Sequence, residues 1–113
     1  MIVDSSAWAE QVVADVLTSA FDSAGQRCSA LRLLCVQMDV ADRVIAMLKV
    51  AMRKWVMGYP DRLHTDIGPV IDAETRERLE AHIARMQTEG LAVTRLARDQ
   101  SGGYGTFVQP ALI

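Results

Sequence analysis

The sequence predicts an α/β fold in which helices pack on a short, mostly parallel sheet. Two features indicate this class. Several segments carry apolar residues at intervals of three and four positions, which is the spacing of amphipathic helices. Between two of these segments, residues 31–36 are apolar at every position except Arg32. Such continuous apolarity is typical of a strand buried on both faces of a parallel sheet, and helices alternating with short apolar strands form an α/β layer.

The first predicted helix follows a short strand end at residues 2–3, runs for about four turns and stops at Gly25. Residues 4–6 are expected to cap it, because Asp and Ser side chains accept hydrogen bonds from the free N–H groups of a first turn. Its apolar stripe comprises Trp8, Val12, Val13, Val16, Leu17, Ala20 and Phe21.

A second helix is predicted to begin at a cap on Asp39, with Asp42 in its first turn and basic residues in its C-terminal half. Its apolar stripe comprises Val40, Val44, Ile45, Leu48, Ala51, Met52 and Trp55. Residues 58–69 contain turn-forming residues without a clear period, which predicts a loop. His64 in this loop is interpreted as a surface or loop-packing residue.

A third helix is predicted between a cap on Asp72 and a stop at Gly90, with Glu74 in its first turn. Its narrower apolar stripe comprises Leu79, Ile83 and Met86. His82 lies beside this stripe and is interpreted as an exposed or hydrogen-bonded structural residue.

The last part of the chain predicts a strand at residues 91–97, a loop at 101–105 and an extended segment at 106–113. The glycines of the loop do not lie between a strand and a helix, so they do not form a phosphate-binding fingerprint. Pro110 favours the edge or the end of a strand, because it has no N–H to donate.

Length and composition limit the class of protein. A chain of 113 residues is one domain or part of one, and its 50% apolar content indicates faces that a larger assembly or a second copy covers. The net charge of −2, with acidic and basic residues interleaved, offers no basis for binding nucleic acid or an anionic membrane. No apolar run reaches the length of a membrane span, and the N-terminus lacks a signal-peptide pattern, so we expect a cytoplasmic protein.

The sequence also argues against a disulfide framework and a metal site. The two cysteines are seven positions apart, which matches neither arrangement, and the two histidines are far apart. Cys35, inside the apolar run, is interpreted as a core thiol.

Cys28 has surroundings that fit a nucleophile. Cysteine acts as a nucleophile in its thiolate form, which the N–H groups of a helix start and a nearby cation both favour. Gly25 can supply a turn that leaves Cys28 at such a start, and Arg27 supplies the cation. The alternative is a small buried cysteine beside a turn, as many free cysteines are.

The pattern around Cys28 resembles the active-site cysteine signature of the aldehyde dehydrogenase superfamily. The residues that carry this resemblance are Phe21, Gly25, Gln26, Cys28, Ala30 and Arg32. Further family landmarks follow in order, namely Gly58-x-Pro60, Gly68-Pro69, and Gly105 with residues 107–110. Within the superfamily, residues 2–7, 9–13, 19–32 and 65–73 are most similar to the 1-pyrroline-5-carboxylate dehydrogenase domains of bacterial bifunctional proline-utilisation proteins.

The resemblance implies oxidation of L-glutamate γ-semialdehyde to glutamate with NAD. It implies that Cys28 is the nucleophile, forming a thiohemiacetal that passes hydride to the nicotinamide and a thioester that water cleaves. It also implies that the Cys28 N–H contributes to an oxyanion hole and that Ser29 binds the substrate carboxylate. The chain departs from the family pattern at Tyr59 and Ala111, both peripheral to this chemistry.

The resemblance further implies that residues 1–113 are a partial, cysteine-bearing catalytic domain without the NAD-binding domain. The general-base glutamate and the oxyanion asparagine are expected before residue 1, and a Glu-x-Phe-Gly-Pro segment after residue 113. The chain alone is therefore expected to be inactive. Two alternatives remain at this point: a dehydrogenase for another acidic semialdehyde, such as succinate semialdehyde, and a truncated module that serves only in oligomerisation.

Overall fold

The structure is a computed structural model that describes residues 1–96 and 105–113. Its helices are α1 (Ala9–Phe21), α2 (Met38–Met52) and α3 (Ala73–Thr88), and its strands are β1 (Ile2–Val3), β2 (Cys35–Val36), β3 (Thr94–Arg95) and β4 (Ala111–Leu112). The predicted α/β class is confirmed. The strands form two separate pairs, one parallel and one antiparallel. The chain divides into two units, Met1–Lys54 and Trp55–Ile113.

In the first unit, β1 and β2 are parallel, with Ile2 opposite Cys35 and Val3 opposite Val36. The Cys35 N–H donates to the Met1 carbonyl at 2.9 Å, and the ladder continues from the Gln37 N–H to the Val3 carbonyl at 2.9 Å. Helix α1 lies between the two strands in the chain, which makes a β-α-β unit. The parallel pairing that the sequence predicted is therefore present.

Helices α1 and α2 pack on each other through their apolar stripes. The regular apolar spacing of both segments predicted an apolar face on each helix, and in the structure these two faces meet. The buried side chains are Val12, Val13, Val16 and Leu17 from α1, and Val44, Leu48 and Met52 from α2. Helix α2 ends before its predicted stripe does, because Trp55 lies beyond Met52. Ile45, which the predicted stripe also included, is 41% exposed.

The prediction of a fully buried strand over residues 31–36 is wrong. Only Cys35 and Val36 are in a strand, Leu33 is 70% exposed, and Cys35 is exposed rather than a core thiol. The physical reason is that, within the described residues, β2 has β1 as its one neighbouring strand. An apolar run states what a segment can bury but not whether neighbouring elements cover it.

The predicted caps of α1 and α2 are also wrong. The N-cap of α1 is Trp8, with no side-chain cap, because the Asp4 carboxylate instead accepts from the hydroxyl and the N–H of Ser6. These two bonds hold the pKa of Asp4 below its ordinary value. Helix α2 leaves β2 almost directly, so its N-cap is Gln37 and Asp39 lies within its first turn.

The predicted start and stop of α3 are confirmed. Asp72 is the N-cap, and its Oδ1 accepts from the Thr75 N–H at 2.7 Å. Gly90 follows the C-cap with a φ of 88°, a left-handed conformation that glycine adopts without steric penalty. Its N–H donates to the carbonyl of Gln87 at 3.0 Å, which satisfies one of the carbonyls left free at the helix end.

The second unit also contains the antiparallel pair β3–β4. Thr94 lies opposite Leu112 and Arg95 opposite Ala111, and the Leu96 N–H donates to the Pro110 carbonyl at 3.0 Å. Pro110 thus immediately precedes a strand, as the sequence predicted. The predicted strand over residues 91–97 is shorter in the structure, and Ala97 lies outside the described residues.

The remaining predicted loops can be placed in part. Residues 58–69 form a loop whose ends meet, because the Gly58 N–H donates to the Ile67 carbonyl at 3.0 Å. His64 and His82 are both exposed, and the Nδ1 atom of His82 lies 3.1 Å from the Arg85 guanidinium. Of the predicted loop at residues 101–105, only Gly105 lies within the described residues. No helix in the described ranges is both long enough and apolar enough to cross a membrane.

We expect Leu48→Ala to destabilise the α1–α2 unit by about 2–5 kcal/mol, because Leu48 is only 1% exposed and its truncation leaves a cavity. Urea unfolding followed by circular dichroism measures the change. Val50→Ala on the same helix is the matched control, since Val50 is 54% exposed and its loss should cost no more than about 0.5 kcal/mol. Equal effects of the two substitutions would contradict the described packing.

At pH values above about 4, we expect Asp72→Ala to lower the thermal midpoint of unfolding. At lower pH, the difference between the variant and the wild type should be smaller. The N–H and hydroxyl of Thr75 hold the pKa of Asp72 below its ordinary value. The carboxylate therefore stabilises the folded chain above its unfolded pKa, and this contribution is lost as the pH falls through the lower, folded pKa. Circular-dichroism melts at several pH values measure the effect. Asp72→Asn is the control, because it keeps a cap acceptor that does not titrate. If its thermal midpoint falls in acid as much as that of the wild type, the assignment is contradicted.

Candidate active site

Cys28 lies on an exposed turn that follows α1. The helix ends at Phe21, a short left-handed turn covers Asp22–Gly25, and a tight turn follows in which the Ala30 N–H donates to the Arg27 carbonyl at 3.2 Å. Cys28 and Ser29 are the two central residues of that turn, and both are exposed. The prediction that Cys28 lies at a helix start is wrong, because the chain forms a turn here and next becomes helical at Met38.

The backbone reverses before the cysteine through three left-handed residues. Ser23, Ala24 and Gly25 have φ values of 55°, 54° and 70°. Each left-handed residue other than glycine costs roughly 1–2 kcal/mol, so Ser23 and Ala24 require support from their surroundings. At Gly25, an added Cβ would lie 2.8 Å from the Ala20 carbonyl oxygen, so the third position has room only for glycine.

Two contacts close the base of the segment that carries Cys28. The Arg32 guanidinium donates through Nη2 to the Gly25 carbonyl at 2.6 Å, and the Leu31 N–H donates to the carbonyl of Ser19, in the last turns of α1, at 3.0 Å. A hydrogen bond from a charged group contributes about 1.5–3 kcal/mol, which is similar to the cost of the two left-handed residues. We call residues 25–32, held in this way, the cysteine loop.

Arg27 does not have the partner that the sequence suggested. Its Nη2 lies 3.6 Å from Oδ2 of Asp22, and its Nε donates to the Ser23 hydroxyl at 3.3 Å. Both side chains of the ion pair are substantially exposed, at 51% and 40%, so water and salt screen it. Arg27, which precedes Cys28 in the sequence, therefore bonds to Asp22 and Ser23, in the left-handed segment before the cysteine.

The backbone at Cys28 is available to a ligand. Among the described residues, no acceptor is bonded to the N–H group of Cys28 or of Ser29. Cys35 differs, because its N–H is used in the β1–β2 ladder. An exposed thiol with adjacent free N–H donors can attack a carbonyl carbon and bind the oxyanion that forms.

Within the described residues, two kinds of site motif are missing, a glycine-rich phosphate-binding turn and a group of metal ligands. None of the strand-to-helix connections within residues 1–96 and 105–113 carries a glycine-rich turn of the kind that binds a pyrophosphate. In the same ranges, no three His, Cys, Asp or Glu side chains are grouped so that they could hold a metal ion.

The contact between Arg32 and Gly25 is the feature that sequence reasoning missed. In the sequence, Arg32 is the one charged residue of the apolar run at residues 31–36 and the last position of the cysteine signature. A charged residue interrupting such a run was a signal, because it needs a polar partner that the run itself does not supply. The partner is a backbone carbonyl seven positions earlier, which no side-chain pattern identifies.

Comparison with known proteins gives consistent results. The profile of the aldehyde dehydrogenase family matches residues 1–113. Bifunctional protein PutA of Klebsiella aerogenes is 58% identical over 118 aligned positions, which cover all of this chain and 9% of that protein. Malonate-semialdehyde dehydrogenase of Listeria monocytogenes is 33% identical over 112 positions, covering 99% of this chain and 23% of that protein. The chain thus spans about a tenth of the PutA relatives that it matches.

Solved structures agree with the sequence comparison, and the family follows from both. A crystal structure of bifunctional proline utilization A superposes with a TM-score of 0.88 at 50% identity, covering 97% of this chain and 11% of that one. A betaine aldehyde dehydrogenase double mutant from Staphylococcus aureus, in complex with NAD⁺, gives a TM-score of 0.85 at 28% identity, over 97% of this chain and 23% of that one. Since the family profile matches every residue and the fold agrees, the chain belongs to the aldehyde dehydrogenase family.

Proposed function

We propose that the chain is the cysteine-bearing part of the catalytic domain of a larger NAD-dependent aldehyde dehydrogenase. The enzyme oxidises L-glutamate γ-semialdehyde (1-pyrroline-5-carboxylate) to glutamate in proline catabolism. The observation that carries this proposal is the 58% identity with a bifunctional PutA protein along the whole chain, including the cysteine loop. The exposed position of Cys28 supports it.

Cys28 is the nucleophile of the proposed reaction. Its thiolate attacks the aldehyde carbon, so that a sulfur–carbon bond forms while the carbonyl π electrons move onto oxygen. The product of this step is a thiohemiacetal, which oxidation converts into a thioester on the same sulfur. Water then cleaves the thioester and releases glutamate and the free thiol.

The free N–H of Cys28 has a role in the same step. Negative charge develops on the former carbonyl oxygen as the sulfur attacks, and a preorganised N–H donor stabilises that charge. The N–H groups at the tip of the cysteine loop have no acceptor among residues 1–96 and 105–113, which supports this role. A thiol at the position of Cys35 would lack such a donor, since its own N–H is bonded to Met1.

Ser29 is the residue proposed to recognise the substrate. Its exposed hydroxyl, next to the nucleophile, can donate a hydrogen bond to the carboxylate of the semialdehyde. A small polar side chain at this position suits an acidic aldehyde better than an apolar one would. The substrate class that we propose is therefore a short aldehyde that also carries a carboxylate.

The hydride acceptor and the base are proposed to lie elsewhere in the enzyme. NAD supplies the hydride acceptor when bound, and its binding site is proposed to lie outside residues 1–113 of the enzyme. The base that activates the hydrolytic water is expected, from the family resemblance, in a Glu-x-Gly-Gly segment of the same enzyme. The isolated 113-residue chain is accordingly expected to reduce no NAD.

One alternative substrate has an observation in its favour. The similarity to malonate-semialdehyde dehydrogenase, at 33% identity over 99% of the chain, supports a different acidic semialdehyde. Malonate semialdehyde and succinate semialdehyde both carry the carboxylate that Ser29 would bind. Rates measured for these aldehydes and for glutamate γ-semialdehyde with the full-length enzyme separate the two proposals.

The environment of the enzyme is also a proposal. We propose a cytoplasmic enzyme with a small-molecule substrate, without a membrane or nucleic-acid partner for this segment. Its exposed apolar side chains are proposed to be covered in the larger enzyme or in a homo-oligomer of it. The most exposed of them in the first unit are Ile2, Trp8, Leu33 and Met38.

We expect Cys28→Ala in the full-length enzyme to lower kcat for glutamate γ-semialdehyde at least about 1,000-fold, because the covalent step is lost. NAD reduction followed by absorbance measures this. Cys35→Ala is the matched control and should retain activity, since Cys35 is also exposed but lies in a strand. Alkylation mapped by mass spectrometry should also label Cys28 much faster than Cys35 at neutral pH. An active Cys28→Ala variant would overturn the proposal.

We expect Ser29→Ala to raise KM for glutamate γ-semialdehyde about 10-fold or more, because a hydrogen bond to the substrate carboxylate is lost. An aldehyde of similar length without a carboxylate tests the assignment in the same assay, and its KM should not change. Ser29→Thr keeps the hydroxyl and should retain part of the discrimination. The assignment of Ser29 fails if the two aldehydes lose affinity equally.

A further inference from the structure

We propose that Arg32 is a positioning residue for the reaction at Cys28, an inference that rests on the proposed function. Its guanidinium holds the Gly25 carbonyl and so sets the direction in which the Cys28 N–H points. Arg32 would act through the backbone of the cysteine loop and would not itself contact the substrate. The charge-assisted bond of 2.6 Å between Nη2 and the Gly25 oxygen is the observation that carries it.

The position of this bond in the chain explains its effect. Gly25 precedes Cys28 by three residues and Arg32 follows it by four, so the bond closes the loop around the cysteine. A fixed Gly25 carbonyl fixes the peptide plane between Gly25 and Gln26, since the peptide bond is planar. This peptide plane leads into the Arg27–Ala30 turn, so it orients the turn as a whole. The orientation of the turn then sets the direction of the Cys28 N–H at its centre.

A second observation shows that the guanidinium fits closely against Gly25. A Cβ placed on Gly25 would lie 3.1 Å from Nη1 of Arg32 and 2.8 Å from the Ala20 carbonyl oxygen. Gly25 is thus enclosed between the end of α1 and the Arg32 side chain, and it is buried. The arginine therefore both binds the carbonyl and occupies the space beside the residue that carries it.

The backbone before Gly25 is in a disfavoured conformation, which the contact from Arg32 helps to hold. Ser23 and Ala24 adopt left-handed conformations that residues with a side chain disfavour, and they lead directly into Gly25. Without the contact from Arg32, this reversal can relax toward ordinary backbone angles, and the loop that follows moves with it. A shift of about 1 Å in a reacting group can reduce a rate on the order of 100-fold.

The test separates positioning from an effect on the thiolate. Oxidation of the aldehyde requires an N–H donor aimed at the developing oxyanion, whereas alkylation of Cys28 by iodoacetamide requires the thiolate alone. Both rates are measured in the full-length enzyme for the wild type, Arg32→Met, Arg32→Lys and Arg43→Met. Arg43→Met is the matched control, since Arg43 lies in the same unit and forms an exposed ion pair with Glu10 at 3.4 Å.

We expect Arg32→Met to lower kcat about 10- to 100-fold while the alkylation rate of Cys28 changes less than about threefold. Arg32→Lys keeps a charged donor and should recover part of the loss in kcat. Arg43→Met should leave both rates unchanged, because the bond that it removes is far along the chain from the cysteine loop and is exposed to water.

Each other outcome counts against the inference. Parallel losses of kcat and alkylation in Arg32→Met would show an effect on the thiol or on folding, and unchanged kcat would show no role for Arg32. If Arg32→Met does not fold, Arg32→Lys decides by the same comparison of the two rates. A wild-type enzyme that oxidises no aldehyde would instead overturn the proposed function, whereas one that prefers another aldehyde allows the same comparison with that substrate.

Discussion

The hydrogen bond between Arg32 and the Gly25 carbonyl is the contact on which the geometry of the candidate site depends. It closes the cysteine loop directly after the left-handed residues Ser23 and Ala24, and so adds to the support that Arg27 gives by its bond to the Ser23 hydroxyl. The second closing contact, from Leu31 to Ser19, attaches the same loop to α1. Helix α1 is in turn fixed by its packing on α2. Two hydrogen bonds at the base of the cysteine loop therefore attach it to the packed helices, and they fix where Cys28 lies.

The sequence predicted those features that arise from local residue chemistry and regular spacing. The apolar faces of α1 and α2 followed from apolar periodicity, and both ends of α3 followed from Asp72 and Gly90. The prediction was wrong for the N-terminal cap of α1, where the expected capping side chain has another partner nearby. The carboxylate of Asp4 accepts from Ser6 and lies four residues before Trp8, the N-cap of α1, whereas Asp72 directly precedes α3 and has the Thr75 N–H as its partner.

Properties that depend on distant parts of the chain could not be predicted from the sequence. The apolar run containing Leu33 and Cys35 predicted a buried strand, yet burial depends on which elements cover a strand, and this chain spans about a tenth of its PutA relatives. At the site, the resemblance identified Cys28 and Ser29 as candidates, but adjacency in the sequence gave the wrong partner for Arg27. Arg32 was part of the signature, and its backbone partner became visible only in the folded loop.

Exposure does not distinguish the two cysteines, because both thiols are open to solvent. Their backbones do distinguish them. The N–H of Cys35 is consumed by the parallel ladder, so it cannot stabilise the charge that would develop on a carbonyl attacked there. Cys28 lies at the centre of a tight turn, where the N–H groups have no partner among the described residues. The Arg27–Ala30 turn thus offers what the strand does not, namely an exposed thiol and an N–H donor without a partner among the described residues, both on Cys28.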